Sequence, residues 1–224
     1  MFDSLKLSDL PKVRCGVLRY PSHTRPALWV VEEDGVRAVV KDFSQGKRLY
    51  RSIAGRFLVW RESRAYNRLR GLEGVPTLYR VIDGQALVVQ EIPGKGLKKH
   101  KRETGISQAF FDSLRGIVSS VHRRGVAHCD LKHAGNVLLG CDGRPYIVDW
   151  AASISEKEFR WFPLNLIFKR FLLDDEMGIV KLKLQHAPEI VTTGERRRYE
   201  RRSNAEKRVR AVRDRFRGWL ERMV

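Results

Sequence analysis

Two stretches near the start of the chain are rich in β-branched residues and are interrupted by a short turn sequence. Residues 27–41, "ALWVVEEDGVRAVVK", place apolar runs on either side of Asp34-Gly35, and residues 77–92 do the same around Asp83-Gly84. An Asp-Gly pair between apolar runs is a strong short-range signal for a β-hairpin. The pattern therefore predicts two hairpins in this part of the chain, and Cys141-Asp142-Gly143 predicts a third further on.

Two other stretches have a helical pattern. Residues 56–70 have helical composition and end at Gly71, and residues 107–124 keep apolar residues at helical spacing up to Gly125. One face of the first helix carries Leu58, Glu62, Ala65 and Leu69. A glutamate therefore belongs to the stripe that is expected to face the core. Everything beyond residue 155 looks helical and increasingly basic.

The order of these elements predicts an α+β fold in which a small β-rich lobe precedes a helical lobe. Pro93 and the basic stretch "GKGLKKHKRETG" that follows it mark a plausible boundary. We therefore predict an N-lobe at residues 1–92, a C-lobe at 93–194 and a basic amphipathic helical tail at 195–224.

Composition narrows the class of protein and its partners. The 224 residues are 42% hydrophobic, enough for a sizeable core, and 44 Lys and Arg against 26 Asp and Glu give a formal net charge of +18. Such an excess predicts attraction to polyanions such as nucleic acid, anionic lipid head groups or nucleotides, although a well-solvated basic surface explains it equally. Three cysteines without a paired spacing favour neither a zinc site nor disulfides, and we expect a cytoplasmic protein. No signal peptide is indicated, and the longest apolar patch, residues 161–168, is too short to span a bilayer.

Several polar residues interrupt apolar runs where a core is expected. Lys41 ends a strand-like run, and Asp130, Asn136 and Asp149 lie beside runs such as Val137-Leu138-Leu139. A carboxylate next to a core is costly unless a cation or a metal ion pairs with it. Carboxylate and amide oxygens are the ligands that Mg²⁺ prefers, so these residues predict a metal site close to phosphate.

Four short motifs, taken in order, resemble one known superfamily. They are "RAVVK", "WRESRAYNRL", "HCDLKHAGN" and "IVDW", and they resemble the strand lysine, helix glutamate, catalytic loop and metal-binding aspartate of the protein-kinase-like superfamily. The resemblance covers about residues 27–190 and looks closest to the small bacterial RIO-like and lipopolysaccharide-kinase-like groups. It implies a two-lobed protein-kinase-like fold with a short, reduced helical C-lobe, and an ATP- and Mg²⁺-dependent kinase.

The resemblance also implies roles for individual residues around the nucleotide. Lys41 would hold the α- and β-phosphates of ATP and would be positioned by an ion pair with Glu62. Asn136 and Asp149 would ligate Mg²⁺. Phosphoryl transfer needs mainly positioning and neutralisation of charge, and these residue types supply both.

In the catalytic loop, the resemblance implies that Asp130 orients the acceptor hydroxyl and takes its proton. Lys132 would lie near the γ-phosphoryl group and offset its developing charge. His128 is expected to brace the loop by hydrogen bonds.

The sequence departs from the superfamily pattern at three places. The stretch "RYPSHTRPAL" contains no glycine where a phosphate-binding loop is expected, which leaves Ser22, His23, Thr24 and Arg25 as donors. Five residues separate Asp130 from Asn136, one more than usual, and His133 is a conceivable substitute ligand. Trp150-Ala151 replaces Phe-Gly after Asp149, which argues against an activation-type switch.

The basic flanks favour an anionic acceptor. A sugar of the lipopolysaccharide core would match the charge and the short C-lobe, with the protein peripheral at the inner face of the cytoplasmic membrane. The rival acceptor is a serine or threonine of a protein, with RNA as a less favoured partner. A pseudokinase, which binds nucleotide or an anionic partner without phosphotransfer, is the alternative from a different class.

Overall fold

A computed structural model describes residues 2–22, 25–45, 53–99 and 105–201. Its first half is built on a five-stranded antiparallel sheet with strand order β1-β2-β3-β5-β4. Both predicted hairpins are present, with positive φ at Asp34, Gly35, Asp83 and Gly84. The strands are β1 (Arg14–Arg19), β2 (Ala27–Glu33), β3 (Val36–Asp42), β4 (Leu78–Ile82) and β5 (Ala86–Gln90). The short helix α1 (Leu10–Val13) precedes them.

The two faces of strand β3 serve different purposes because side chains alternate along a strand. Ala38 and Val40 are fully buried in a cluster with Trp29 and with Phe2 from the N-terminal segment. Lys41 therefore points to the opposite face, toward the helix that follows. This alternation explains why a lysine can end an otherwise apolar strand without entering the core of the sheet.

Helix α2 (Gly55–Arg68) confirms the helix predicted at residues 56–70, apart from a shift of one or two residues at the ends. Its inner face buries Val59, Ala65 and Tyr66, and Glu62 is only 1% exposed among them. The predicted inward glutamate is thus confirmed, and its carboxyl group requires a partner at this position.

The second half is mainly helical and adds two small sheets. Helix α3 (Gln108–Arg123) is capped by Ser107, whose side chain accepts a hydrogen bond from the Phe110 amide, and Gly125 follows with φ of 67°. The remaining elements are β6 (Gly94–Gly96), β7 (Val126–Ala127), β8 (Val137–Gly140), β9 (Pro145–Ile147), β10 (Ile154–Ser155), α4 (Leu164–His186) and α5 (Thr193–Glu200). Strands β8 and β9 form the third predicted hairpin.

The largest core cluster joins the two halves of the chain. Leu69 from the end of α2 packs with residues of α3, β8, β9 and α4, including Phe111, Val137 and Ile179. The predicted α+β organisation is confirmed, and so is the mainly helical character of residues 156–201. The predicted lobe boundaries stay predictions, and most of the predicted tail at 195–224 lies outside the described residues.

Candidate active site

The centre of the site is a lysine that two carboxylates share. The Lys41 Nζ atom lies 2.7 Å from Oε2 of Glu62 and 2.7 Å from Oδ1 of Asp149. Glu62 is buried, whereas the Asp149 side chain is 46% exposed. The three groups come from β3, α2 and the residue that follows the β8–β9 hairpin, so the fold brings together three residues that are far apart in the sequence.

Hairpin register explains how Asp149 and Asn136 reach the same place. Val137 pairs with Ile147, and one step beyond the ladder the Val148 amide donates a hydrogen bond to the Asn136 carbonyl at 2.9 Å. The two predicted metal ligands therefore lie at the same end of this hairpin. Asp149 adopts a left-handed backbone conformation, with φ of 65° and ψ of 69°, which turns the chain sharply after the strand.

The longer catalytic loop is accommodated by two successive turns. The His133 amide donates to the Asp130 carbonyl at 3.2 Å, and the Asn136 amide donates to the His133 carbonyl at 2.9 Å. A Cβ atom at Gly135 would lie 2.8 Å from the His133 ring, so a larger residue there would displace this exposed side chain. The Asn136 amide group still reaches Asp130, with Nδ2 3.0 Å from its carbonyl oxygen and 3.1 Å from Oδ2. The extra residue therefore does not separate Asn136 from Asp130.

His128 braces the loop, as the sequence predicts. Its Nδ1 accepts a hydrogen bond from the Asp130 amide at 3.2 Å, and its Nε2 lies 3.1 Å from the Val148 carbonyl. Because an amide can only donate and a carbonyl can only accept, the neutral tautomer with the proton on Nε2 satisfies both contacts. One imidazole thus ties the predicted catalytic loop to the segment after β9 that carries Asp149.

A buried aspartate on α4 holds the backbone of this loop, and the sequence analysis did not identify it. Asp175 is 1% exposed, and its carboxyl oxygens accept hydrogen bonds from the His128 amide at 2.7 Å and the Cys129 amide at 2.8 Å. His122 of α3 contacts the same carboxyl group at 3.1 Å. The available signal was the same as for Glu62, because Asp175 falls on the apolar stripe of its helix with Phe168.

Two further residues near Asp149 were also missed. Tyr66, one turn after Glu62 on α2, hydrogen-bonds the backbone of Asp149, while Glu62 accepts a hydrogen bond from the Trp150 amide. The charge of Arg19, at the end of β1, acts on Asp149 in the same direction as that of Lys41. Nothing in the sequence distinguishes Arg19 from the many other basic residues of this chain. Tyr66 lies on an apolar helix face, where the sequence pattern predicts only a buried core residue.

The electrostatics of the shared lysine follow from burial and proximity. Burial alone would lower the pKa of Lys41, but the attraction of Asp149 and Glu62 raises it well above its ordinary value. Lys41 in turn lowers the pKa of Asp149 to about 2 against the opposing effect of burial. Burial and the nearby Asp149 raise the pKa of Glu62, because Lys41 offsets them only in part. When all three groups are ionised, the trio has a negative excess that favours a bound cation.

The donor set fits a magnesium ion that is held mainly by a nucleotide. Asn136 uses its amide nitrogen on Asp130, so its carbonyl oxygen lies on the other side of the planar group, and Asp149 offers carboxylate oxygens. No cluster of three His, Cys, Asp or Glu residues suited to a metal occurs within the described part of the chain. Mg²⁺ in phosphoryl-transfer sites is typically bound by one or two side chains together with phosphates and water, so two oxygen ligands meet this need.

The remaining predicted residues are only partly located. Lys132 is half-buried between Asp130 and Asn136, and its carbonyl accepts a hydrogen bond from Lys181 at 3.4 Å. His133 is exposed, and its ring accepts from the Gly135 amide, so its suggested role as a substitute ligand stays untested. Of the four donors suggested for the phosphate loop, His23 and Thr24 lie outside the described residues.

Comparison with known proteins supports the fold and leaves the family open. No family model matches the sequence, and no curated protein does. Two solved structures of the Rio2 kinase from Chaetomium thermophilum are similar, one described as an ADP/Mg²⁺-phosphoaspartate complex. Each has a TM-score of 0.57 and 14% identity and matches 80% of this chain, which spans 58% and 60% of the two Rio2 chains.

At this identity the likeness shows the fold. The chain has a protein-kinase-like fold with a β-sheet N-lobe and a helical part, as predicted. The similarity does not extend to the superfamily or to the lipopolysaccharide-kinase-like group, which both stay predictions.

Proposed function

We propose that this chain is an ATP- and Mg²⁺-dependent phosphotransferase that transfers the γ-phosphoryl group to a hydroxyl group. The observation that carries the proposal is the convergence of Lys41, Glu62 and Asp149 within hydrogen-bonding distance at 2.7 Å. A module that only binds a partner has no physical need for a buried lysine shared by two carboxylates beside a braced catalytic loop. The Rio2 complex, which contains ADP and Mg²⁺, supports the choice of nucleotide and metal.

In the proposed reaction, the acceptor hydroxyl oxygen attacks the γ-phosphorus, and the bond to the bridging oxygen of the β-phosphate breaks to release ADP. The hydroxyl proton passes to Asp130, whose Oδ2 is fixed by Asn136 at 3.1 Å. Lys41 leaves Asp149 to bind the nucleotide phosphates and keeps its contact with Glu62. Lys132, two residues after Asp130, offsets charge on the transferred group.

Asn136 and Asp149 are the residues that would hold Mg²⁺. When bound, the ion neutralises phosphate charge and aligns the γ-phosphoryl group with its acceptor. In the structure described here, where Lys41 is still paired with Asp149, it lowers the pKa of Asp149 to about 2, so the carboxylate is ionised before nucleotide and metal bind.

For the acceptor, we propose a hydroxyl group on an anionic substrate, with a sugar of the lipopolysaccharide core as the first choice. The net charge of +18 favours such a substrate through long-range attraction. A protein serine or threonine is the competing acceptor. The two acceptors can be distinguished by whether the transferred phosphate is found on glycolipid or on protein.

The test uses the purified chain, ATP labelled at the γ-phosphate, Mg²⁺ and a cell extract whose products are separated into glycolipid, protein and soluble pools. Asp149→Asn removes the metal-binding charge with little change of shape. Asp112→Asn removes the same charge from the exposed side of α3 and is the matched control. We expect label in one pool with the parent chain and the control, and its loss with Asp149→Asn.

Nucleotide binding is measured in parallel as the shift in melting temperature caused by ADP with and without Mg²⁺. A Mg²⁺-dependent shift that Asp149→Asn abolishes, without any labelled pool, would favour the pseudokinase. No shift and no label with the parent chain would refute nucleotide-dependent chemistry altogether.

A further inference from the structure

An apolar tip projects from the helical half of the molecule at the start of α4. The side chains of Trp161 and Phe162 are 75% and 79% exposed, and Leu166 and Leu173 on the outward side of the helix are more than half exposed. The structure buries Phe168 and leaves these four residues facing outward. Side chains that are exposed to this extent are suited to insert into a lipid headgroup region.

Cations surround the tip. Arg160 and Lys169 are exposed on either side of it, and Arg160 lies over the Trp161 ring at 5.9 Å from the ring centroid. Aromatic and aliphatic residues flanked by Lys and Arg are typical of segments that lie in the headgroup region of a bilayer. No described helix is long and apolar enough to cross a membrane.

A basic cleft adjoins the tip. Its volume is about 350 Å³, and it lies between α2 and residues 153–158. Its cationic lining residues are Arg61, Arg64, Arg68 and Lys157, against one acidic side chain, Glu158, among the described residues that line it. Trp161 follows Glu158 by three residues, so the two lie within about 11 Å of each other.

The cleft is a formed feature of the fold. Arg61 Nε donates to the Ser153 carbonyl at 2.6 Å, and Arg68 donates to the Ser155 hydroxyl, so two arginines bridge its walls. Each guanidinium has five N–H donors, and the remaining ones suit the oxygens of a phosphate group. An apolar tip beside a basic cleft with room for a phosphorylated head group matches a lipid, with the acyl chains meeting the tip and the head group meeting the cleft.

We propose that this face, the tip around Trp161 and Phe162 with the adjoining arginine cleft, docks the protein on an anionic phospholipid bilayer. A second copy of the chain is a poor occupant because both copies carry a net charge of +18 and repel each other. An anionic bilayer is attracted by the same charge, since each basic residue near the surface adds to the attraction.

Docking would bring the catalytic loop close to the membrane. Leu166 precedes Asp175 by nine residues on α4, which is about 14 Å along the helix axis. Since Asp175 holds the catalytic loop directly, a membrane-borne acceptor is within reach. This last step rests on the proposed phosphotransfer, whereas the docking itself does not.

The test measures flotation of the full chain with vesicles of phosphatidylcholine alone and of equimolar phosphatidylcholine and phosphatidylglycerol, without nucleotide. The double variant Trp161→Ser with Phe162→Ser removes the apolar tip at two exposed positions, so the fold is expected to persist. Tyr20→Ser removes an exposed aromatic residue from the other half of the molecule and is the control. Arg64→Gln with Lys157→Gln tests the cleft.

We expect strong binding to the anionic vesicles and weak binding to the neutral ones. The double variant at the tip should bind at least about 100-fold more weakly, because it loses both aromatic side chains that the bilayer would bury. The cleft variant should lose binding to the anionic vesicles selectively, and Tyr20→Ser should bind like the parent chain.

Three results would overturn the proposal. These are no binding of the parent chain to anionic vesicles, equal binding by the tip variant, or a dimer in analytical ultracentrifugation that the tip variant abolishes. Asp149→Asn should bind vesicles like the parent chain, so a failure of docking can be told from a failure of phosphotransfer.

Discussion

Replacing Asp175 by asparagine tests whether a buried carboxylate on α4 holds the catalytic loop in place. The aspartate accepts hydrogen bonds from two consecutive backbone amides, those of His128 and Cys129, on its two different oxygens. Asparagine has the same shape but only one oxygen. Its NH₂ group must therefore face one of the two amide donors, and it cannot accept a hydrogen bond from that donor.

The expected loss of free energy of unfolding can be worked out from these contacts. A buried amide left without an acceptor costs about 1–3 kcal/mol. The surviving hydrogen bond also loses its charged acceptor, which takes away about another 1 kcal/mol. We therefore expect the free energy of unfolding to fall by about 3 kcal/mol, which for a chain of this length lowers the melting temperature by about 9 °C.

Asp174→Asn provides a matched control, since it removes the same charge from the neighbouring, partly exposed position of the same helix. Thermal unfolding and the rate of phosphate transfer are measured for both variants. We expect Asp174→Asn to stay within about 0.5 kcal/mol of the parent chain. If Asp175→Asn unfolds at the same temperature as Asp174→Asn, the carboxylate does not support the loop and the reasoning is wrong.

Two further predictions concern the packing of α4 and its ion pair with α5. Gly178→Ala places a Cβ atom 3.0 Å from the Lys132 backbone nitrogen and should destabilise the chain by about 1–3 kcal/mol. Gly116→Ala on α3 is the control, because its Cβ atom meets nothing within 4 Å and should stabilise the chain by about 0.5–1 kcal/mol. Equal effects of the two substitutions in chemical denaturation would contradict this prediction. Glu195→Gln leaves the buried Lys183 ammonium without the carboxylate that lies 3.2 Å away and should cost about 3 kcal/mol at neutral pH. Burial alone would raise the pKa of Glu195, but its hydrogen bonds lower it from 4.5 to about 2. The carboxylate therefore stabilises the fold above pH 4.5, and the difference between parent and variant should shrink as the pH falls toward 2; a difference that does not change with pH would refute the ion pair.

Much of the fold was predictable because its local signals agree with its packing. The Asp-Gly turns specify the hairpins whatever surrounds them, since positive φ is a property of the turn itself. Helix α2 was predictable for a similar reason, and Glu62 was recognised because a charge in an apolar stripe is rare. The long helix α4 was predicted only as helical sequence, since its exposed apolar start and buried aspartate blur the amphipathic pattern.

The site was predictable only where a motif exists. Lys41, Glu62, Asp130, Asn136 and Asp149 each stand in a recognisable short motif, and the structure brings them to one place. Asp175 stands in no motif that the sequence analysis used, because its function depends on two backbone amides that any residue could supply. When a side chain contacts backbone atoms, only that side chain's own position is specified in the sequence, and the partner position can hold any residue.

The residues after Asp149 argue for a site that holds one conformation. The buried Trp150 ring packs on His128 with centroids 4.7 Å apart, and its amide donates to Glu62. The Ser153 hydroxyl then donates to the Trp150 carbonyl at 2.6 Å, and the Ser153 carbonyl accepts from Arg61 at 2.6 Å. A segment tied to α2 at both ends has little freedom to turn Asp149 outward without unfolding these contacts. A change in the position of Asp149 would therefore require a movement of α2. The arginines of α2 line the cleft for which we propose an anionic phospholipid ligand.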